Sequence, residues 1–458
     1  MSCYQPLLPN IHDMDHKKRS AVSLCNVLLT IFGFFFLFFW FSQFHKSHPE
    51  DNLELEPIPL RFQRPETTTV EPRTETAATL FPARTTTFDS FQNAFSGFQF
   101  TKPIACGKRI VGYYNGWNGQ KLSDSQLQKI THLVFAFMRI HKNGTVSFEN
   151  DEKKSLFLEM KNKAKEVNEE VKVMFSIVGK YNSALFGNLN ADFKTRKTLI
   201  NSIVSFLREN QFDGVDIFWK WPTNQDKANY VFLLRELRQK LQNLDLQNPK
   251  ILSIVTPSVG LELIDGFHLN GILKYVDFVN VETDRTTGAL TGAPAPLFSE
   301  IGQYKEFNVD STMRHLACVT GKPSQLNMGV PFYGRYWKGV EGAVEKGDDM
   351  WRTTGEDVAT GTVFWRNMEK EGWSKPSATW HQESRTPYIW DAKNRMFLGF
   401  ENEKSVSEKL KYTIDKNLGG LTIWTLEMDD DVDSLLNAVT TTMSEDCGGS
   451  EGLRYQCN

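Results

Sequence analysis

From residue 109 onward, two patterns of apolar positions alternate along the chain. Short runs dense in Val, Ile, Leu and Phe are separated by longer stretches in which apolar residues recur every three or four positions. The first pattern predicts strands at 109–114, 132–137, 172–177, 214–218, 252–255, 276–281, 327–330 and 421–425. The second predicts helices such as 196–209 and 228–241. This alternation predicts an α/β fold, a (β/α)8 TIM barrel with insertions. A doubly wound sheet divided over two domains accommodates the same count, so periodicity alone leaves that alternative open. The interval from about 338 to 403 is rich in Trp, Gly and charge, and reads as a small subdomain inserted between the seventh and eighth strands.

Upstream the pattern changes. Residues 21–44 carry no charged side chain and include Phe34-Phe35-Phe36-Leu37-Phe38-Phe39-Trp40-Phe41. A helix needs about 20 such residues to cross a hydrocarbon core of ~30 Å. His16-Lys17-Lys18-Arg19 precedes the run, and a basic flank on that side predicts a cytoplasmic N-terminus. Residues 1–20 therefore read as a cytoplasmic tail and 21–44 as the signal-anchor of a single-pass type II membrane protein, with the C-terminal part extracellular or lumenal. A cleaved signal peptide is the competing reading, but the run exceeds the usual ~7–15 residues and no A-x-A site follows. Residues 45–105, with Thr67-Thr68-Thr69 and Thr85-Thr86-Thr87, hold too few periodic aliphatics to offset ordering entropy. They read as a disordered Thr/Pro-rich stalk, 106–445 as the folded domain, and 446–458 as a C-terminal tail.

A net charge of −3, with no basic block beyond the N-terminal run, argues against a nucleic-acid partner. Of the six cysteines, Cys106, Cys318, Cys447 and Cys457 follow the apolar run. They can form up to two disulfides in an oxidising compartment, with the connectivity open. Asn143-Gly144-Thr145 is a candidate glycosylation site. Asp429-Asp430-Asp431 invites a calcium reading, but no loop supplies the remaining oxygens, so neither a metal nor a cofactor is expected.

The most informative stretch is Phe212-Asp213-Gly214-Val215-Asp216-Ile217-Phe218-Trp219-Lys220-Trp221-Pro222. Residues two apart on a strand share a face, so Asp216, Phe218 and Lys220 are expected to point together into the barrel mouth. The segment resembles the D-G-x-D-x-D-x-E signature of glycoside hydrolase family 18, the chitinase family. Six further blocks resemble that family in order: Val111-Gly112-Tyr113-Tyr114-Asn115-Gly116-Trp117, Thr131-His132-Leu133-Val134-Phe135-Ala136-Phe137, Ser176-Ile177-Val178-Gly179, Asp277-Phe278-Val279-Asn280-Val281, Gly329-Val330-Pro331-Phe332-Tyr333-Gly334-Arg335, and Gly419-Gly420-Leu421-Thr422-Ile423-Trp424. The resemblance implies a barrel with an α+β insertion between strands seven and eight. It also implies that Tyr113, Trp117, Phe137, Tyr333, Arg335 and Trp424 line a sugar-binding cleft. An anchor ahead of such a domain is similar in layout to nematode chitinase-like proteins.

The departures carry as much meaning. In the family the final glutamate of the signature protonates the glycosidic oxygen, and the aspartate before it positions the substrate's own attacking acetamido group, a substrate-assisted scheme. Lys220 stands for that glutamate and Phe218 for that aspartate. An ordinary lysine titrates near ~10.4, far from a carboxylic acid raised toward ~6, and it repels a developing oxocarbenium ion. In the sixth-strand motif Asp284 replaces the tyrosine and Arg285 the aspartate. Asp213 and Asp216 survive, with a structural role favoured over a proton relay. Inactivity as a hydrolase is therefore expected, with Lys220 paired to Glu282, Asp284 or Asp216 as an ion-paired plug. The partners expected are a chito-oligosaccharide or other glycan, or a protein bound through the barrel. The alternatives are a structural or regulatory surface protein with a closed cleft, and an enzyme rebuilt around Lys220, Glu282 and Asp284.

Overall fold

The computed structural model describes residues 107–258, 262–284, 290–298, 308–445 and 454–457. The expected tail, anchor and stalk, with Cys106, Arg285 and Cys447, lie outside the described residues. Eight parallel strands form a closed barrel: β1 (Arg109–Tyr114), β2 (His132–Ile140), β3 (Lys172–Val178), β4 (Gly214–Phe218), β5 (Ile251–Thr256), β6 (Phe278–Val281), β7 (Leu326–Pro331) and β8 (Gly420–Trp424). Each strand pairs with the next in sequence, and closure comes from β8 lying beside β1, with Arg109 opposite Gly420 and Gly112 opposite Ile423.

Alternation along the strands divides the core into two layers. Val215 and Ile217 of β4, Val173 and Phe175 of β3, and Ile254 of β5 belong to the outer layer beneath the helices. Val111, Tyr113, Val134, Ala136, Met174, Phe218, Val255 and Phe278 fill the barrel itself. The helices are cut by legible caps. Asn150 accepts from Lys153 N and starts α1 (Asp151–Val167), and Asp192 accepts from Lys194 N and Thr195 N and starts α2 (Phe193–Glu209). The α2 face formed by Leu199, Ile200, Ile203, Phe206 and Leu207 is buried, the spacing expected of a helix lying on a sheet. Asn308 caps α3 (Val309–Thr320), which ends on Gly321 at φ 65.

Between β7 and β8 the chain builds a five-stranded antiparallel sheet from Tyr333–Ala343, Arg352–Phe364, Thr379–His381, Thr386–Asp391 and Met396–Gly399. It has its own core of Trp337, Val340, Met350, Trp351, Tyr388 and Phe397. Gly399 is dictated by close approach: a Cβ there would stand 2.3 Å from the Gly292 carbonyl oxygen. The sheet leads through Glu401 and Asn402 into α4 (Glu403–Asp415), where Lys409 and Glu401, both fully buried, form a bidentate pair at 2.9 and 2.7 Å.

The C-terminal residues return to the barrel wall. Cys457 is disulfide-bonded to Cys318 at the end of α3, and Tyr455 is buried with its hydroxyl 3.0 Å from that of Tyr412 on α4. The bond closes a sequence separation of 139 residues. A link that constrains so much chain in the unfolded state typically stabilises by about 2–4 kcal/mol. Urea denaturation of the Cys318→Ala, Cys457→Ala double variant is expected to show a loss of that size, matched by the unmutated protein under reducing conditions.

Candidate functional site

Inside the barrel lies the Asp216 carboxylate. On a strand whose inward positions are otherwise apolar, it is fully buried and accepts three hydroxyl hydrogen bonds. Ser176 of β3 and Tyr113 of β1 donate to Oδ2 at 2.7 and 2.8 Å, and Ser253 of β5 donates to Oδ1 at 2.7 Å. The network continues outward. Asn280 of β6 donates to the Tyr113 hydroxyl (3.0 Å), Asn327 of β7 to Asn280 (2.9 Å), and Arg109 of β1 to Asn327 (2.9 Å). Burial pushes the Asp216 carboxyl up from its ordinary range, while the three hydroxyls pull it back. Asp213 is elsewhere. Its carboxylate accepts from Val173 N at 2.7 Å and meets Lys165 at 2.9 Å at the opposite, N-terminal end of the strands, which is a structural role.

Above Asp216 comes an aromatic layer. Phe218 packs edge-on to Trp424 (5.9 Å), Phe137 (5.5 Å) and Tyr113 (6.2 Å), and Tyr113 lies 5.4 Å from Trp424. Trp221, which sequence reasoning did not single out, joins it at 6.3 Å from Phe218. Trp117 is separate: 41 % exposed, it pairs with Phe364 from the inserted sheet at 6.4 Å.

Alternation carries past the end of β4, so Trp219 turns outward against Phe186 and Tyr230 while Lys220 turns to the mouth. The Lys220 ammonium meets Glu282 Oε1 at 2.7 Å and lies over the rings of Phe218 (5.2 Å) and Trp221 (5.3 Å). The expected ion pair is present, with Glu282 as the partner rather than Asp284 or Asp216. It is not sealed: the two side chains remain 28 % and 20 % exposed. Asp284 instead accepts the Tyr333 hydroxyl. Burial, then the neighbouring Asp284, push the Glu282 carboxyl up to about 7 against the pull of Lys220 and Arg335. Glu282 Oε2 and Arg335 Nε are buried without a hydrogen-bond partner among the described residues.

The acidic run after β8 turns out to be local scaffolding. Asp429 accepts backbone N–H groups of Asp430, Leu435 and Leu436, and Asp430 accepts from Trp365 Nε1 and Ser434 N. Glu427, also missed from sequence, accepts from Asn115 N and Gly116 N (both 2.9 Å) and so fixes the loop that carries Trp117.

Comparison with known proteins gives one family. Residues 109–429 match the model described as glycosyl hydrolases family 18. Chitinase A1 of Niallia circulans is 27% identical over 72% of this chain, which spans only 58% of that relative's length. Among solved structures, Ostrinia furnacalis Group IV chitinase aligns with a TM-score of 0.65 and 23% identity, covering 74% of this chain and 100% of its own. Human YKL-39, described as a pseudo-chitinase with retained chitooligosaccharide binding properties, aligns equally well at 0.65 and 22%, covering 74% and 100%.

A carboxyl whose pKa is raised on folding binds more protons in the folded state, so its contribution to stability falls as pH rises from its unfolded value through its folded one. Glu282 and Asp429, both pushed up to about 7, act in the same direction. Stability is therefore expected to decline between about pH 4.5 and 7. In chemical denaturation across that range, Glu282→Gln is expected to flatten the decline by removing the contribution of Glu282.

Proposed function

The chain belongs to glycosyl hydrolases family 18, and on that premise we propose that it is a catalytically inactive, membrane-anchored chitinase-like protein that binds chito-oligosaccharides. The observation that carries this reading is the Lys220–Glu282 pair at 2.7 Å. The position from which the family delivers its proton holds an ammonium group already engaged with a carboxylate. Beside it, Phe218 offers no hydrogen bond or charge to an acetamido group, and its ring is committed to Trp424, Phe137 and Tyr113. Loss of a positioned acid alone removes a factor of roughly 10²–10⁴ in rate. Here the groups that position and polarise the nucleophile are replaced as well.

Binding makes different demands. Ring faces recognise sugar rings through area and shape, and the half-buried Phe137, Trp221 and Trp424, gathered around Phe218, support this reading. Retained chito-oligosaccharide binding by the structurally similar YKL-39 supports the same reading. The charge-free run 21–44 and its basic flank support anchoring, with the barrel on the extracellular or lumenal side. A second reading keeps hydrolysis: Glu282, with a carboxyl near 7, has the proton affinity of a general acid. Its engagement with Lys220 argues against that role.

One sample tests both. Calorimetry of chitotetraose with residues 101–458 is expected to show saturable binding, and the same solution assayed for released sugars is expected to show no cleavage. Trp424→Ala is expected to weaken binding at least tenfold. Cleavage lost in Glu282→Gln would establish the second reading; absence of binding would leave the barrel's outer surface for a protein partner.

A further inference from the structure

Asn143-Gly144-Thr145 takes no part in the cleft, yet the fold displays it in a specific way. The three residues form the tip of the hairpin in which β2 turns into the short strand Val146–Ser147, with Arg139 opposite Ser147 and Ile140 opposite Val146. Two backbone bonds close the tip: Gly144 N donates to His141 O (2.8 Å), and His141 N to Thr145 O (2.9 Å). Gly144 is buried, with φ +84. A Cβ there would meet Leu199 N at 3.3 Å and Thr195 O at 3.4 Å, so the tip lies directly on α2. Val146 N donates to Ser202 Oγ at 2.8 Å and fastens the base of the hairpin to the same helix.

This anchoring leaves Asn143 and Thr145 exposed on either side of the glycine. Asn143 Oδ1 accepts from both Thr145 N (3.1 Å) and the Thr145 hydroxyl (2.8 Å). The amide's oxygen is thus occupied, while its Nδ2 makes no hydrogen bond among the described residues. The acceptor nitrogen stands in solvent beside the hydroxyl that an N-x-T sequon requires.

We propose that Asn143 carries an N-linked glycan. The donor class is an oligosaccharide linked to a lipid diphosphate. A bond forms between Asn143 Nδ2 and the sugar's anomeric carbon, the anomeric carbon–phosphate oxygen bond breaks, the amide gives up one proton, and the lipid diphosphate leaves. The proposal rests on the reading that the barrel lies on the extracellular or lumenal side. Because the hairpin is fastened to α2, on the outer layer of the barrel, the glycan stands on the wall and not over Phe218 and Lys220.

The test is expression of the full chain in glycosylating cells, with a sequon-bearing acceptor tag fused after Asn458, followed by endoglycosidase digestion and intact-mass analysis. The expected result is one glycan on the tag and one on Asn143. The second is lost in Asn143→Gln and in Thr145→Ala, is retained in Thr145→Ser, and has no effect on chitotetraose affinity. A glycosylated tag with bare Asn143 overturns the site while leaving the orientation standing. A bare tag with bare Asn143 overturns the orientation, and the site with it.

Discussion

A carboxylate at the centre of a barrel is expensive to desolvate, and everything around Asp216 is arranged to offset that cost. Its three hydroxyl donors come from three different strands, and the chain of bonds through Tyr113, Asn280, Asn327 and Arg109 enlists two more. With β4 itself, six of the eight strands must keep their register for one buried charge to remain satisfied. A slip of one residue in any of them would turn its donor to the other face. The polar layer therefore acts as a register lock beneath the aromatic one, and this is a sufficient reason for Asp216 to persist where the groups above it have changed.

The changes above the lock form coupled sets. Replacing an aspartate with Phe218 removes a charge and adds a ring, which the neighbouring Trp424, Phe137 and Tyr113 accept by edge-on packing. Placing an ammonium at residue 220 alone would leave a half-buried charge unpaired. Glu282, reaching from the end of β6 across the intervening β5, supplies the counter-charge at 2.7 Å. Neither residue is comfortable without the other, since breaking a pair of this kind strands the remaining charge. The mouth is thus held by two coupled sets, the rings packed on Phe218 and the Lys220–Glu282 ion pair.

How far this was readable from the letters depends on the range of the interaction. Strand positions follow from the short dense apolar runs and lie within a few residues of the prediction. The sixth strand begins at Phe278 rather than 276 because Asp277 serves as a bracket, accepting Leu252 N and Arg238. The mouth-ward direction of Asp216, Phe218 and Lys220 is equally local. Connectivity across the barrel is not. The choice of Glu282 over Asp284 for Lys220 depends on Tyr333, which engages Asp284 from the inserted sheet. Asn280 and Asn327 read as ordinary strand polar residues until the two strands are side by side. The Cys318–Cys457 bond likewise needed a fold that brings the end of α3 to the chain's last residues.

The same separation of ranges sets different demands on a reaction and on a binding surface. Hydrolysis of the family's kind depends on single atoms: a proton of matched affinity at one oxygen, and a carboxylate at one amide. Such requirements fail with one substitution each. Sugar stacking depends on the positions of ring faces, and these are set by packing shared among Tyr113, Phe137, Trp221 and Trp424, all tied through Phe218 to the layer over Asp216. Substituting phenylalanine at residue 218 adds to that packing. On the proposed reading, the phenylalanine that stands in place of a carboxylate also stiffens the surface on which a sugar would rest, so that loss of catalysis and retention of a binding floor would be two consequences of one substitution.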